Sequence, residues 1–557
     1  MDFNRHAPAE IGLHLATLGT ALAASTLPGP SFETLKQILL LLAVALSAWR
    51  SDERPSVAPT TLLIGAFALV PAALSALGTG LAPDLALWGG PERQQGLVID
   101  LALLLLLLNA APLLSDPLIR RRWYRGLSAI MLITGLLAFT QLMGGMQGWL
   151  PLLEPGRASA TFGNPTQAAA WWLLAWPAAL ALLASEQRAD RWLGTAALLA
   201  VAFGLIGCGS RAAWPALAVA LGLLFARGPA LRWVLLGAPL AALALVLFTL
   251  SWRPASTEVR TDLLRAGWSV VVDPPRLIDA HGAQDSLAGW RWVVGYGPDS
   301  LDPVLASRIP PGPAQDARPD RAHQQILDLY LSRGALGLLA GLAILGWLVM
   351  RWRDLDAGND LGTRLPFIAL AGWLVAMQLG FGLTADKTLA VVWLALLAAP
   401  RAGGGFLGDG SYVRAAFAAA LLAPALLMSF QRTPPAAIVR NFELGQQAYV
   451  QGLDEAKPVS ALRTLAEAER RFALAQRFDP YQGELALARV TAAVAIARRT
   501  TAAQRVLCAL EHQWAVIEQD PITAERARAA RAQWELIGGC VSAGEGLSPG
   551  EAPIAAR

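Results

Sequence analysis

Apolar segments close to 20 residues long recur along most of this chain, and they decide what it can fold into. A helix of about 20 apolar residues crosses the hydrocarbon core of a bilayer. Charged residues make up only 15% of the sequence, whereas soluble domains carry about 25%. We therefore predict an all-α, polytopic membrane helix bundle with about 12–13 transmembrane helices. The segments fall near 11–27, 35–49, 60–80, 97–114, 126–144, 166–185, 193–209, 213–226, 231–250, 325–350, 365–383, 387–400 and 413–430.

Arginines in the connecting loops give the orientation. Every second loop is rich in arginine, and the short loops between them hold about one cation each. Because positively charged loops stay in the cytoplasm, we predict a cytoplasmic N-terminus, with the long loop 251–322 on the outer face. The predicted domains are a membrane domain, 1–430, and an outer tail domain, 431–557. The arginine-rich loops contain Arg50, Arg54, Arg120, Arg121, Arg122, Arg125, Arg188, Arg191, Arg227, Arg232, Arg351, Arg353, Arg364 and Arg401.

The tail, 431–557, has a charged, alanine-rich pattern that is typical of helix hairpins. In "AEAERRFALAQRFDP", residues Ala468, Phe472, Ala475 and Pro480 have the spacing of the second helix of a tetratricopeptide repeat. "FELGQQAYVQG" resembles a first helix, although too many residues separate it from the second. We predict a tetratricopeptide-like domain, and a generic helical bundle is the alternative.

The spacing of the cysteines argues against a zinc site, and the distribution of charge argues against a nucleic-acid site. Cys208, Cys508 and Cys540 form neither a C-x-x-C motif nor a zinc spacing. An outer location permits oxidation, so Cys508 and Cys540 can pair. Antiparallel helices over 502–519 and 522–538 would place these two cysteines about two turns out of register, unless the following Gly-Gly pair folds back. The net charge of +4 comes without a Lys/Arg-rich tract, so we expect no nucleic-acid partner.

Polar elements on the predicted outer face are candidates for a binding site. "GCGSRAAW" places Ser210 and Arg211 in a tight turn between two apolar segments. A cation at this depth is costly and usually faces a polar cavity, but snorkelling to headgroups is an equal alternative. "STEVRTDLLRAGWSVV" predicts an amphipathic helix with Arg260 and Arg265, and the alternative is an interfacial helix lying on lipid. "GYGP" in "GWRWVVGYGPDS" predicts a tight turn.

One histidine lies where the long outer loop returns to the membrane, in "RPDRAHQQILDLYLSRGALG". Pro319 and Asp320 are typical of a helix start, with Asp320 as the N-cap, which places His323 in the first turn. Because a helix N-terminus disfavours a charged imidazole, His323 should be neutral and able to accept a proton. The alternative is a histidine that only caps the helix or lies at the membrane interface.

Taken in order, these motifs resemble the bacterial O-antigen ligase and O-antigen polymerase superfamily, which includes pilin O-oligosaccharyltransferases. The resemblance covers roughly 85–430 and is greatest for the branch with a tetratricopeptide-like tail. Successive family elements are similar to "LWGGPERQQGL", "SATFGNPTQAAAWW", "GSRAAW", "VRTDLLRAGW", "VGYGPDSL" and "DRAHQQILDLYLSRGALGLL". Thr166 and Gln324 stand where the family commonly has asparagine.

The resemblance implies an enzyme of the bacterial inner membrane that transfers a glycan from undecaprenyl pyrophosphate to an acceptor hydroxyl on the outer face. By position, Arg211 and Arg260 match the family's pyrophosphate-binding arginines, since arginine offers bidentate donors to phosphate. His323 matches its general base. The resemblance implies no metal and no cofactor. Secondary candidates for the site are Arg93, Arg157, Arg265 and Arg321.

The sequence leaves three classes of acceptor as alternatives. A growing glycan or a lipid core would make the protein a polymerase or a ligase of surface polysaccharide, which we favour. A protein acceptor would make it a protein O-oligosaccharyltransferase, and the tail could bind a protein partner. A lipid-glycan flippase or transporter is the alternative from another class. Such proteins more often have internal repeats with broken helices, and the sequence predicts neither.

Overall fold

The computed structural model of the chain describes residues 7–24, 33–49, 59–145, 156–225, 254–310, 320–354, 360–399, 411–500, 502–537 and 540. The regular elements within these ranges are all helices, as predicted, and the described residues contain only an isolated β-bridge between Ile278 and Gln284. The apolar segment predicted over 231–250 lies outside the described residues, and so does Pro319.

The helices are numbered in chain order. They are α1 (Ala7–His14), α2 (Thr34–Trp49), α3 (Pro59–Leu74), α4 (Pro83–Trp88), α5 (Leu97–Ser115), α6 (Pro117–Leu142), α7 (Pro165–Leu183), α8 (Arg188–Cys208), α9 (Ala213–Phe225), α10 (Pro254–Val272), α11 (Arg291–Val294), α12 (Asp302–Ala306), α13 (Gln325–Asp354), α14 (Leu361–Met377), α15 (Thr384–Ala398), α16 (Ser411–Ser429), α17 (Pro434–Asp454), α18 (Pro458–Gln476), α19 (Gly483–Ala497), α20 (Ala503–Cys508), α21 (Gln513–Glu518) and α22 (Pro521–Leu536). π-helical turns follow α1 (Leu15–Gly19) and α3 (Ser75–Thr79).

Six helices of the described chain are long and apolar enough to cross a membrane. They span Thr60–Thr79, Leu97–Ser115, Pro117–Leu142, Pro165–Leu183, Arg188–Cys208 and Gln325–Asp354. Shorter apolar helices cover Thr34–Ala48, Ala213–Phe225 and Leu361–Met377. All of these coincide with segments that the sequence predicts, and together they indicate a membrane protein.

Helix α7 is the most deeply buried of the six long apolar helices. Its Trp171 and Trp172 are completely buried. The indole N–H of Trp172 donates to Thr134 Oγ1 on α6 at 3.1 Å. On α8, Gly204 leaves room for the same indole ring, because a Cβ there would lie 2.7 Å from it. Packing of α7 by α6 and α8 therefore fixes where the N-terminus of α7 lies.

Helix α13 is broken at Gly334, whose φ of 63° and ψ of −162° are not helical. The break frees carbonyl groups, and those of Leu331 and Ser332 accept hydrogen bonds from the N–H groups of Tyr296 and Gly297 at 2.8 and 2.9 Å. The predicted "GYGP" turn thus packs into the break. The sequence predicts no broken helix, and this prediction is wrong because the break depends on a contact between distant residues.

The chain folds as two compact units. The first unit contains 1–275 and 286–437, and the second contains 276–285 and 438–557. Ten residues of the predicted outer loop, 276–285, therefore belong to the same unit as the tail.

The second unit is built from helices. Ala468, Phe472 and Ala475, which the repeat spacing singles out, are buried on α18. Phe472 contacts Phe442 of α17, with 5.7 Å between ring centroids. The helix considered over 502–519 is divided into α20 and α21.

A disulfide joins Cys508 at the end of α20 to Cys540, with Cα atoms 4.7 Å apart. The two cysteines are therefore adjacent. The offset expected for two continuous antiparallel helices does not arise, because the first of these helices is divided into α20 and α21. Cys208, in the first unit, is buried and is not part of this disulfide.

Candidate active site

A cavity of about 290 Å³ in the first unit brings together residues that are far apart in the sequence. It is enclosed by the N-terminus of α7, the first half of α10, the residues before α13 and the residues after α14. Three of the predicted site residues, Arg157, Arg260 and His323, line it. The full lining is Arg157, Asn164, Thr166, Gln167, Val259, Arg260, Leu263, His323, Leu379, Gly380 and Phe381.

The "FGNPTQ" motif forms the start of α7 and one wall of the cavity. Asn164 is the N-cap, and its side chain accepts the N–H of Thr166 at 2.8 Å. Gln167 donates to the carbonyl of Phe381 at 2.6 Å, which ties this wall to the loop after α14. Because the N-terminus of a helix carries a partial positive charge, it favours an anion in the cavity.

Arg211 lies in the turn that follows α8, and Arg157, from the segment before α7, contacts the end of α8. Arg157 Nε donates to the carbonyl of Cys208 at 2.8 Å. Gly209 adopts a φ of 55°, which lets the chain reverse before Arg211. Arg211 is only 7% exposed, and its Nη1 donates to Thr257 Oγ1 on α10 at 2.7 Å. The Arg211 side chain thus contacts α10 and is not among the residues that line the cavity.

Helix α10 carries two predicted arginines in different surroundings. Arg260 lines the cavity next to Leu263, which is buried. Arg265 lies on the same helix, but its side chain is 74% exposed and pairs with Asp262 at 3.4 Å. The structure therefore brings Arg260 to the cavity and leaves Arg265 outside it.

His323 does not lie in the first turn of a helix, contrary to the sequence prediction. Helix α13 begins at Gln325, and His323 precedes it in a left-handed conformation with φ of 57°. The cap of α13 comes from Gln324, whose side-chain oxygen accepts the N–H of Leu327 at 2.5 Å. Asp328 accepts the N–H of Ala322 at 2.6 Å and so fixes the bend that presents His323.

Asp320 is not the N-cap that the sequence predicts. Its carboxylate pairs with Arg93, whose Nη2 lies 2.8 Å from Oδ1. The prediction is wrong because Arg93, from the loop before α5, offers a charged partner that outweighs a backbone N–H. Arg93 and the other neighbouring cation, Arg321, together hold the pKa of Asp320 below its usual value, against the opposing effect of burial.

Arg93 and Arg321 lie close enough to His323 to lower its pKa. Arg93 is paired with Asp320, and Arg321 is paired with Asp299. Neither arginine lines the cavity. Their two carboxylate partners reduce the positive charge that they can offer an anion.

Phe381 is a site residue that the sequence analysis misses. Its ring lies edge-on to His323, with 5.0 Å between the centroids. The sequence places Phe381 in an apolar segment, 365–383, but α14 ends at Met377 and Phe381 lies in the loop beyond it. The glycines on either side of Phe381 are the one sequence signal for this loop.

The pKa of His323 is lowered to about 4, and burial is the largest cause. The neighbouring cations Arg93 and Arg260 act in the same direction, whereas Asp320 opposes them. The imidazole is therefore neutral at pH 7, with a nitrogen lone pair available to accept a proton. Its surroundings, and not a helix N-terminus, keep it neutral.

Two guanidinium groups, a helix N-terminus and a neutral imidazole surround one cavity. Such a set can bind an anion and accept a proton from a nearby hydroxyl. Neither the protein-family models nor the curated proteins that were compared with the sequence match it.

Proposed function

We propose that this protein is a glycosyltransferase of the bacterial inner membrane. It moves a glycan from undecaprenyl pyrophosphate to an acceptor hydroxyl, as a polymerase or ligase of surface polysaccharide. One observation carries the proposal: Arg157, Arg260 and His323 line a single cavity. The six long apolar helices support a membrane location.

The proposed reaction divides the work between the cations and the histidine. Arg157 and Arg260 bind the pyrophosphate, and Arg211 holds α10 one turn before Arg260. His323 takes the proton of the acceptor hydroxyl while that oxygen bonds to the anomeric carbon. The bond from this carbon to the pyrophosphate oxygen breaks, and its electron pair leaves with the lipid pyrophosphate. The arginines stabilise the negative charge that develops there.

The proposed orientation places this chemistry on the outer face. Residues 157, 211, 260 and 323 all lie in segments that the arginine distribution assigns to that face. The loop 251–322 and the tail are then extracytoplasmic, and the disulfide in the tail agrees with an oxidising compartment. We propose that the tail is a tetratricopeptide-like domain that binds a glycan, lipid or protein acceptor.

The test is a reaction of the purified protein in nanodiscs with an undecaprenyl-pyrophosphate-linked repeat unit. A ladder of products identifies a polymerase. Transfer to an added lipid core identifies a ligase, and transfer to a protein identifies an O-oligosaccharyltransferase. Movement of the donor across the bilayer without a new glycosidic bond identifies a flippase and contradicts the proposal.

Variants test the assignment of roles. We expect His323→Ala to lower the transfer rate about 10²- to 10⁴-fold, as loss of a general base does, with donor affinity retained. Arg260→Ala should weaken donor binding about tenfold or more, because it removes hydrogen bonds to a charged group. Arg260→Lys should restore binding poorly, since an ammonium cannot make the bidentate contact.

Arg265→Ala is the matched control, because Arg265 is exposed on the same helix. Equal losses of donor affinity in Arg260→Ala and Arg265→Ala would contradict the site. Transfer by His323→Ala at the wild-type rate would contradict the role of His323.

A further inference from the structure

Gln167 lines the cavity, and the proposed reaction gives it no role. It is the third residue of α7, and only 3% of it is exposed. It follows the N-cap Asn164 by three residues, which is the spacing of a capping box. In a capping box the glutamine oxygen accepts the N–H of the N-cap residue. The Gln167 oxygen, Oε1, makes no such bond, and its amide is bonded instead to the loop after α14.

The bond to this loop fixes which end of the Gln167 amide is nitrogen. Nε2 donates to the carbonyl of Phe381 at 2.6 Å, and a carbonyl can only accept. Oε1 is therefore the acceptor end. It is buried and has no hydrogen-bond partner within the described part of the chain. Because a buried acceptor without a partner is costly, a group that donates to Oε1 would bind favourably.

A partner for Oε1 must carry a proton that it can share. The oxygens of a pyrophosphate do not meet this requirement, since a deprotonated phosphate group only accepts hydrogen bonds. The two guanidinium groups of the cavity, Arg157 and Arg260, are assigned to the pyrophosphate. A sugar carries hydroxyl groups on most of its carbons, and each hydroxyl can donate. The chemistry of Oε1 therefore favours the sugar part of a glycan-bearing lipid.

The contacts of Gln167 fit the first sugar of the donor, the one bonded to the pyrophosphate. In the proposed reaction its anomeric carbon lies between the pyrophosphate and the acceptor oxygen at His323. Gln167 belongs to the wall formed by the N-terminus of α7, which favours the anion. Its amide is bonded to Phe381, whose ring meets His323 edge-on. Gln167 thus links the wall that favours the phosphate to the loop that contacts the base.

We propose that Gln167 Oε1 accepts a hydrogen bond from a hydroxyl of this first sugar, so that Gln167 helps to select the glycan-bearing lipid. The assignment rests on the proposed function and adds a specificity-determining residue to it. The contact is absent once the sugar has been transferred, because undecaprenyl pyrophosphate carries no sugar. Loss of the contact then favours release of this product.

Equilibrium binding of two lipids to the full-length protein in nanodiscs tests the assignment. One lipid is undecaprenyl pyrophosphate, and the other carries the repeat unit of the transfer assay. Gln167→Met is neutral and similar in length, but it has no amide oxygen. We expect it to raise the Kd of the glycan-bearing lipid about fivefold to tenfold, as loss of a neutral hydrogen bond does, and to leave the Kd of undecaprenyl pyrophosphate unchanged. Arg260→Ala, in contrast, should weaken binding of both lipids.

The outcomes separate the role of Gln167 from the proposed function. Equal losses for the two lipids in Gln167→Met would show that Gln167 only supports the Phe381 loop, and would overturn the assignment. An unchanged Kd of the glycan-bearing lipid in Gln167→Met would also overturn it. Failure of the wild type to bind either lipid would overturn the proposed function itself.

Lipids whose first sugar lacks one hydroxyl provide a second test, which does not depend on the folding of Gln167→Met. In the wild type, removal of the contacted hydroxyl should raise the Kd about fivefold to tenfold. Gln167→Lys keeps a donor for the Phe381 carbonyl but has no acceptor, so the same removal should change nothing in it. Equal losses in the wild type and in Gln167→Lys would overturn the assignment. Wild-type affinity that is the same for every such lipid would overturn it too.

Discussion

The guanidinium carbon of Arg93 lies 3.8 Å from the centroid of the Phe381 ring, within the range of a cation–π contact. The same ring meets His323 edge-on. Phe381 therefore keeps Arg93 beside the imidazole and shields the imidazole from water.

Phe381→Ala should raise the pKa of His323, because burial is the largest cause of its low value. The pKa should move from about 4 toward the usual 6.5. An NMR titration of the histidine ring protons measures it, with His323→Ala to assign the signal. Phe430→Ala, at an exposed phenylalanine, is the control. A pKa of His323 that is the same in both variants would show that Phe381 does not shield it.

The pKa of His323 should differ between the free and the donor-bound protein, and the pH profiles of kcat/KM and kcat report these two values. A lowered pKa of about 4 keeps His323 neutral, and so able to accept a proton, at every pH above that value. The acid limb of kcat/KM, which reports the free enzyme, should therefore lie near pH 4. A bound pyrophosphate adds negative charge, favours the imidazolium and raises this pKa. The acid limb of kcat should therefore lie at higher pH than that of kcat/KM, and the reverse order would contradict His323 as the base.

Much of the fold follows from the sequence because the bilayer imposes length and apolarity on each helix. The bounds of α5, predicted as 97–114 and observed as Leu97–Ser115, are an example. Arg260 and His323 are selected by their place in the motifs that resemble the O-antigen ligase and polymerase superfamily. Their chemistry alone leaves an interfacial helix and a helix-capping histidine as alternatives.

The remaining features depend on contacts that sequence patterns do not encode. Asp320 has the sequence pattern of an N-cap, but in the structure it pairs with Arg93, which is far from it in the chain. Phe381 lies in an apolar stretch of the sequence, but α14 ends at Met377, so Phe381 lies in the loop that follows. Residues 276–285 belong to the same unit as the tail. The side chain of Gln519 bonds both main-chain groups of Ile278 there, and no sequence pattern predicts such a contact between distant residues.

Cysteine labelling from the outer face should distinguish the two sides of the membrane. The native cysteines give little background, since Cys208 is buried and the other two form a disulfide. We expect Gln504→Cys, in the tail, to be labelled by an impermeant maleimide in intact cells. Asp354→Cys, at the end of α13 beside the arginine-rich loop, should be labelled only after lysis. The opposite pattern would invert the topology and place the cavity on the cytoplasmic side.

Asp328 should matter for transfer through the bend that it fixes. In Asp328→Ala the N–H of Ala322 loses its acceptor, at a cost of about 2 kcal/mol, and the left-handed conformation of His323 loses its support. We expect the transfer rate to fall about tenfold or more, while donor affinity stays close to that of the wild type. Asp328→Asn keeps an acceptor oxygen and should retain most of the activity. Equal losses in the two variants would show that the negative charge of Asp328, and not its hydrogen bond, is required.

Gly334 should be the least replaceable glycine of α13. An alanine there would place its Cβ on the carbonyl of Val293 and would hold φ of 63° at a cost of about 1–2 kcal/mol from the left-handed backbone alone. Gly346, on the same helix, has open space around its missing Cβ, so alanine there should stabilise the helix by about 0.5–1 kcal/mol.

Thermal unfolding of the two variants in the same detergent measures the difference. Gly334→Ala should lower the Tm and separate the "GYGP" turn from the broken helix, because Tyr296 and Gly297 donate to the carbonyls just before the break. Gly346→Ala should leave the Tm unchanged or slightly higher. If Gly334→Ala unfolds at the wild-type temperature, α13 runs through residue 334 without a break, and the turn at Gly295 and Gly297 is held by other contacts.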